Sequence, residues 1–434
     1  MFLTFGVKNY KSIKDEQEFS FLASNSVKEH PKNVFESNDQ EKILKSCLIY
    51  GRNASGKSNI LEALGDFLNM IKGSTDLKLN QPIPAYKPFL FDKESKKLNS
   101  KFWFEIIARN DIKYYYEVTF NNDKIVKEVL DFYPKGYPAN LYTRKGDEFK
   151  YGDYLKGEKK SIENQVLKNQ LYLSKAVINN HKQLKIPFLT VNAAFSAINI
   201  KSTHDDHVMA MFMHAVNNDE DENLLGLLHN INEFLKIADT GILNIEPEKK
   251  DGATVDSHGS VLKNDADDLT EEFRNVHSKY NIKSFHKVFE NQKEIGVQSL
   301  PFKDESEGSK RLAVLGALAA MSLVTGGLLI IDELNNSLHP LLTTFLIKLY
   351  HSEKYNQNNA QLLFSTHDTS LLNSDYIRRD QVWFAEKNKF GESSYYSITD
   401  FDGVRKETPI EKWYLSGRFG AIPVIDEIEF DLKL

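Results

Sequence analysis

Cysteine is almost absent from this 434-residue chain: Cys47 is its single thiol. One thiol forms no intrachain disulfide and excludes a Cys-x-x-Cys site or a zinc hook. Cys47 is expected on a buried strand as a small core residue, in a reducing cytoplasm. Long apolar runs are also missing, since none reaches the roughly 18 residues of a membrane span. The longest, Leu312 to Leu329, is interrupted by Ser, Thr and three glycines. Met1 to Val7 reads as a strand without a charged stretch ahead of an apolar core, so no secretory signal is expected. No heptad pattern is sustained over several turns, which argues against a coiled-coil arm. Excess positive charge is lacking too. The net charge is −6, so whole-molecule attraction to nucleic acid is not expected.

The composition, 41% hydrophobic and 27% charged, is that of a soluble globular protein. The length predicts two lobes, and the 28 Phe and 19 Tyr suit sheets. Strands are expected at Met1–Val7, Glu16–Leu22 and Lys42–Tyr50, followed by a helix over Ser58–Lys72. Lys101–Ala108, Lys113–Asn121 and Lys124–Phe132, separated by Asn/Asp turns, predict an antiparallel meander. Ser161–Asn179 and Glu222–Ile237 have helical spacing. Gly241–Glu248 and Val288–Pro301 read as strands around a polar loop, Lys249–Asp267. From Gly308 the pattern alternates: helix Lys310–Val324, strand Leu328–Ile331, helix Pro340–His351, strand Gln361–Ser365, helix Thr369–Leu372, strands Gln381–Glu386 and Ser393–Ile398. Such alternation predicts a parallel sheet with right-handed crossovers.

Gly51-Arg52-Asn53-Ala54-Ser55-Gly56-Lys57-Ser58 has the spacing of a phosphate loop, follows a strand and opens a helix. Its backbone N–H groups and the helix N-terminus attract phosphates. The nucleotide contacts are expected from Gly51, Asn53, Ala54, Ser55, Gly56, Lys57, Ser58 and Asn59. Lys57 would reach the β- and γ-phosphates and the Ser58 hydroxyl a Mg²⁺ ion. Arg52 could face a phosphate or solvent.

Four aliphatic residues followed by Asp332-Glu333 place two carboxylates at the end of a buried strand. Asp332 is the candidate Mg²⁺ partner, and Glu333, one residue further out, the candidate base for the attacking water. Ser365-Thr366-His367 ends the neighbouring strand, so His367 can face the γ-phosphate. A second anion site is suggested by Ser306, Gly308 and Ser309 at the head of the next helix, where Ser306 serves as cap. It lies 24 positions before Asp332 (332 − 308). One chain needs only one phosphate loop per nucleotide, so the second site makes sense if it closes on the triphosphate of another subunit.

This ordered set resembles an ABC-type P-loop ATPase head, closer to the SMC and recombination kind than to transporters. It is most similar to a bacterial family of stand-alone ATPases tied to abortive-infection and restriction-associated defence loci (RloA-like and AbiL-like). The similarity includes the opening Val7-Lys8-Asn9-Tyr10-Lys11-Ser12-Ile13, Leu171-Tyr172-Leu173-Ser174-Lys175-Ala176, Glu305 to Arg311, Asp332 to Pro340, and Gly417-Arg418-Phe419-Gly420-Ala421-Ile422-Pro423. The resemblance implies an α/β head with a mixed sheet, an antiparallel β lobe and a mainly helical insertion. Residues 1–160 and 288–434 would be the two halves of the head and 161–287 the insertion. It also implies ATP and Mg²⁺ as cofactors, with Lys57 and Ser58 on phosphate and Mg²⁺, Asp332 on Mg²⁺, and Glu333 on water. Ser306 and Gly308 would act across a homodimer or higher homo-oligomer, and His367 would be the switch. His339 stands where many such heads carry aspartate, Asn335 also departs from an expected aspartate, and no glutamine is assigned to the loop between lobes.

Ser58 and Asp332 are 274 positions apart (332 − 58), more than a minimal head needs, so the middle is expected to meet a partner. His204, Asp205, Asp206 and His207 read as a polar loop rather than a metal site, and Asp426, Glu427 and Glu429 as an acidic end strand. The 67 residues after His367 (434 − 367) are few for the fused nuclease that some related heads carry, so none is expected. Two function classes compete. One is an anti-phage sensor or regulator that controls a separately encoded, nuclease-like effector in response to DNA or a phage-derived trigger. The other is a repair-type ATPase that binds DNA directly. For the second, Arg144, Lys145, Lys150, Lys156, Lys159 and Lys160 with Tyr142, Tyr151 and Tyr154 could form a phosphate-binding face. Nearby Asp147, Glu148, Asp153 and Glu158 favour a solvated surface instead.

Overall fold

Apolar runs too short for helices and punctuated by turn residues become strands throughout this chain. The computed structural model describes residues 1–38, 41–196, 209, 222–237, 240–249, 280–335, 338–373 and 375–423. In chain order the strands are β1 (Phe2–Lys8), β2 (Gln17–Ser20), β3 (Val34–Glu36), β4 (Lys42–Leu44), β5 (Ser46–Tyr50), β6 (Ser100–Ile107), β7 (Lys113–Phe120), β8 (Ile125–Phe132) and β9 (Ala139–Lys145). They continue as β10 (Glu148–Tyr151), β11 (Phe195–Ser196), β12 (Ile242–Lys249), β13 (Tyr280–Glu290), β14 (Lys293–Pro301), β15 (Leu328–Ile331), β16 (Gln361–Ser365), β17 (Val382–Lys387) and β18 (Ser393–Ser397). Among the described residues the helices are α1 (Lys57–Gly73), α2 (Lys160–Glu163), α3 (Tyr172–Ile178), α4 (Lys182–Asn192), α5 (Glu222–Ile237), α6 (Glu307–Thr325), α7 (Pro340–His351) and α8 (Ile410–Leu415).

The chain divides into two units: Met1–Ile198 with Thr325–Asn335 and Thr344–Leu434, and Asn199–Val324 with Asn336–Thr343. The segment 161–287 is split by this division, because α2 to α4 pack within the first unit. Two sheets build most of that unit. One is antiparallel, in the order β10-β9-β8-β7-β6-β1-β2. The other runs β11-β15-β16-β5-β17-β18, parallel except for β18. β5, β15 and β16 are buried along their whole length, as strands covered on both faces must be. Cys47 lies on β5, fully buried, and burial pushes its thiol well above the usual range. The unit thus combines a mixed, mostly parallel sheet with an antiparallel β lobe.

α1 joins the two sheets. Its stripe Ile60, Leu64, Phe67, Leu68 and Ile71 is buried, and the Phe67 ring lies 5.2 to 5.8 Å from those of Phe104, Phe102 and Tyr116 on the antiparallel lobe. The helix that carries the phosphate loop is thereby fixed to a rigid aromatic face. In the second unit, β12-β13-β14 form an antiparallel sheet, and Phe234 of α5 packs against Gly316 of α6. Among the described residues no helix is long and apolar enough to cross a membrane.

Several expected elements are redrawn. The strand expected over Lys42–Tyr50 is two, β4 and β5, because Lys45 uses its N–H on the Asn33 carbonyl as the chain passes between sheets. Ser161–Asn179 is not one helix. The Asn169 amide donates to the carbonyls of Lys78 and Gln81, and the Gln170 amide to those of Thr75 and Leu77, so the intervening chain is tied to residues 75–81 instead of to its own turns. Val288–Pro301 is a hairpin, turned at Asn291 and Gln292, both with positive φ. Thr369–Asn373 is a 3₁₀ turn. The Lys249–Asp267 loop beyond residue 249, the 204–207 cluster and the acidic end strand lie outside the described residues.

Arg144 and Tyr142, considered above for a basic face, belong to the core. Glu128, fully buried on β8, accepts hydrogen bonds from the hydroxyls of Tyr116 (2.9 Å) and Tyr142 (2.7 Å) and from the N–H groups of Tyr172 (2.8 Å) and Leu173 (3.0 Å). Arg144 lies 3.8 Å from the same carboxylate and donates to the Gln170 carbonyl at 2.6 Å. The Leu171–Ala176 motif is thus held at the head of α3 by a buried ion pair. Arg144→Leu leaves that carboxylate without its cation and is expected to destabilise the fold by about 3–5 kcal/mol. Urea unfolding read by circular dichroism checks it, and a change under about 1 kcal/mol would contradict the buried pair.

Candidate nucleotide site

The phosphate loop leaves β5 after Tyr50 and enters α1 at Lys57. Ala54 and Gly56 both have positive φ, 64° and 107°. A Cβ at Gly56 would collide with the Ser393 side chain, and one at Gly51 would lie 2.5 Å from the Ala385 carbonyl and the Ser55 hydroxyl. Glycine is therefore required at both ends of the loop. Lys57 is buried, and its Nζ donates to the carbonyls of Gly51 (2.8 Å) and Arg52 (3.3 Å). Arg52 itself donates to the Lys387 carbonyl at 2.8 Å. Asn53 and Ala54 are exposed, Ser55 and Gly56 buried, and Ser58 and Asn59 half-buried.

Distant residues hold the loop from behind. Ser393 Oγ donates to the Ser55 carbonyl and the Tyr395 hydroxyl to that of Gly56, each at 2.7 Å. Ser12 Oγ lies 2.7 Å from Ser393 Oγ and accepts from the Asn59 amide. Sequence reasoning missed Ser393 and Tyr395, which carry no local signal. Ser12 stands inside the opening motif, and the rest of that motif anchors the turn. Asn9 donates to the carbonyls of Ser95 and Leu98, Tyr10 donates to Asp66, and Lys11 pairs with Glu62.

The parallel register sets Ile331 opposite Phe364 and Ser365 opposite Ile49. The ends of β15 and β16 therefore lie beside the strand that feeds the phosphate loop. Ser365 Oγ donates to Asp332 Oδ1 at 2.5 Å and accepts the Glu333 N–H at 2.7 Å. Glu333 sits in the left-handed region, φ 52°, a conformation that costs a non-glycine residue roughly 1 kcal/mol or more. The bond to Ser365 Oγ and the bond from Leu334 N–H to the Ser365 carbonyl hold it there. Asn335 Oδ1 accepts from Thr366 Oγ1 (3.1 Å) and from the His367 N–H (3.2 Å), so the residue that departs from aspartate braces the loop bearing His367.

Lys57, Asp332, Glu333 and His367 share one electrostatic environment. Burial lowers the Lys57 ammonium from its usual range, opposed by the carboxylates of Asp332 and Glu333. Burial also lowers the His367 imidazole, aided by the Lys57 charge and opposed by Glu333 and Asp332. A neutral imidazole at neutral pH can accept or donate a hydrogen bond. The Ser58 hydroxyl and the Asp332 carboxylate are hard oxygen donors of the kind Mg²⁺ takes alongside substrate phosphates. Ser365→Ala should free both carboxylate-bearing residues and lower ATP turnover by about tenfold or more. A steady-state ATPase assay on protein with an unchanged melting temperature checks this.

The other expected anion site lies in the second unit. Ser306 Oγ caps α6 by accepting the Ser309 N–H at 3.1 Å, Gly308 and Ser309 are half-buried, and Ser306 is exposed. Glu307 pairs with Lys310 at 2.8 Å. His339 Nδ1 accepts the Leu341 N–H at 3.3 Å, at the head of α7. In the first unit the Gly417–Pro423 motif is a packed turn. Phe419 is buried with its ring 5.3 Å from that of Phe384, and Arg418 stacks 3.9 Å over Trp413.

A family model described as "AAA domain, putative AbiEii toxin, Type IV TA system" (AAA_21) matches residues 47–373. No curated protein matches the sequence. Among solved structures, an SMC head bound to the C-terminal winged-helix domain of ScpA is 14% identical, with a TM-score of 0.43, over 91% of this chain and 97% of that one. The SMC head of Thermotoga maritima is 12% identical, with a TM-score of 0.37, over 91% and 98%. The recombination mediator RecF with ATP is 16% identical, with a TM-score of 0.39, over 91% and 97%.

Proposed function

The chain belongs to the AAA_21 family of ATPase domains, and from that premise we propose that it is a Mg²⁺-dependent ATPase acting as a sensor or regulator in a bacterial anti-phage defence system. It works in the cytoplasm as a homodimer or higher homo-oligomer and controls a separately encoded, nuclease-like effector. The observation that carries this reading is the parallel register that sets the ends of β15 and β16, which lead into Asp332-Glu333 and His367, beside the strand that feeds the phosphate loop and Lys57. The family description, which names a toxin of a toxin–antitoxin system, supports the defence role.

Lys57 exchanges its loop carbonyls for the β- and γ-phosphate oxygens of ATP. Ser58 and Asp332 would hold Mg²⁺, whose charge would offset that of the phosphates. Glu333 accepts a proton from the attacking water, and His367 donates a hydrogen bond to the γ-phosphate. Ser306, Gly308 and Ser309 of a second subunit close over that phosphate with backbone N–H groups. Residues 1–160 and 288–434 are read as the head and 161–287 as the partner-facing insertion, of which α2 to α4 pack within the first unit. Direct DNA binding, the competing reading, loses support because Arg144 and Tyr142 are buried. Plating of phage on cells carrying the native locus tests the defence role. Plaques are expected to be fewer with the parent gene and restored by Lys57→Ala; equal plating on parent, variant and empty cells would contradict it.

A further inference from the structure

β14 runs without a break through the 3₁₀ turn Phe302–Asp304 and Glu305 into the cap Ser306. Glu305 is therefore the last residue before the expected inter-subunit contact. Its side chain does not point to solvent: only 9% of it is exposed. Oε1 accepts from Ser284 Oγ at 2.5 Å and meets His286 Nε2 at 2.6 Å. Ser284 and His286 are neighbours on one face of β13, opposite Leu300 and Gln298 of β14. The same carboxylate thus binds the middle of the three-stranded sheet to the head of α6. On the helix side, Lys310 pairs with Glu307 and donates to the Lys303 carbonyl, so the turn is braced from both directions.

A nearly buried carboxylate is costly unless charged or strong donors meet it. Packing alone would be served as well by an apolar side chain at this position, whereas a directional pair fixes the angle at which the sheet hands the chain to the cap. We propose that His286, with Ser284, is a positioning residue for the Ser306–Ser309 turn. Through Glu305 it sets the pose in which that turn meets the nucleotide of a second subunit. This rests on the reading of Ser306, Gly308 and Ser309 as an inter-subunit contact. As a positioning residue, His286 is expected to act on closure and turnover, so its loss should spare binding to the phosphate loop of the same chain.

Full-length protein carrying His286→Ala, His286→Gln, Glu305→Gln or Ser306→Arg tests it with three readouts. These are affinity for a fluorescent ATP analogue, kcat, and the ATP-dependent dimer fraction in a Glu333→Gln background. His286→Ala is expected to lower kcat and dimer formation by about tenfold while changing analogue affinity less than about twofold, the effect of losing one charge-assisted hydrogen bond. His286→Gln, which keeps an N–H donor, should recover most of the loss, and Glu305→Gln should fall between. Parent-like kcat and dimerisation in His286→Ala, with Ser306→Arg inactive, would overturn the positioning role alone. If Ser306→Arg also behaved as parent, the inter-subunit contact itself would fall. Should His286→Ala not fold, parent-like dimerisation by Glu305→Gln is the overturning result.

Discussion

Glu333→Gln is expected to slow ATP turnover by about 100-fold or more while leaving ATP bound, because the amide cannot take the proton of the attacking water. The geometry favours Glu333 over Asp332 for that task. Asp332 Oδ1 is engaged by Ser365 Oγ, which suits a fixed partner for a metal. Glu333 is turned out of the strand direction by its positive φ, and its backbone, rather than its carboxylate, is what Ser365 holds. The substitution keeps size and backbone hydrogen bonding, so the melting temperature should not move. Single-turnover hydrolysis with quenched, labelled ATP gives the rate, and filter retention of the same label gives occupancy. A rate within about threefold of the parent would assign the base elsewhere, with His367 the first alternative.

Lys57→Ala should abolish nucleotide binding, raising Kd by about 100-fold or more, since it removes the charged donor at the phosphates. Lys57 also carries structure. Its ammonium ties the two carbonyls that open the loop, and burial already lowers it from the usual range. The variant therefore loses both a phosphate contact and a strut of the loop. Lys57→Arg is the informative companion, because a planar guanidinium does not fit a buried point-charge site. Isothermal titration with ATP and Mg²⁺ measures both. Parent-like affinity in Lys57→Ala would remove the phosphate loop from the account.

Much of this site is legible in the sequence because its motifs are local. Glycines at 51 and 56 report backbone constraints that the structure contains, and the aliphatic runs before Asp332 and Ser365 become adjacent parallel strands. What supports the site is less legible. Ser12 and Ser393 meet across 381 positions, and nothing in a single sequence marks such a pair. Arg144 illustrates the opposite error. A basic residue among lysines and tyrosines reads as surface, yet Glu128 and three carbonyls draw it into the core. The β13–β14 hairpin was hidden because Asn291 and Gln292 turn the chain without a glycine. Lys45 broke an apolar run for a topological reason, since the chain changes sheets there.

Light-scattering mass of Glu333→Gln, measured with and without ATP and Mg²⁺, bears most directly on the shared triphosphate. Joining of two 49.8 kDa chains only when ATP is present, and its failure when Ser306→Arg is added, is the outcome predicted here. A mass that ATP leaves unchanged, or that Ser306→Arg does not alter, would contradict it.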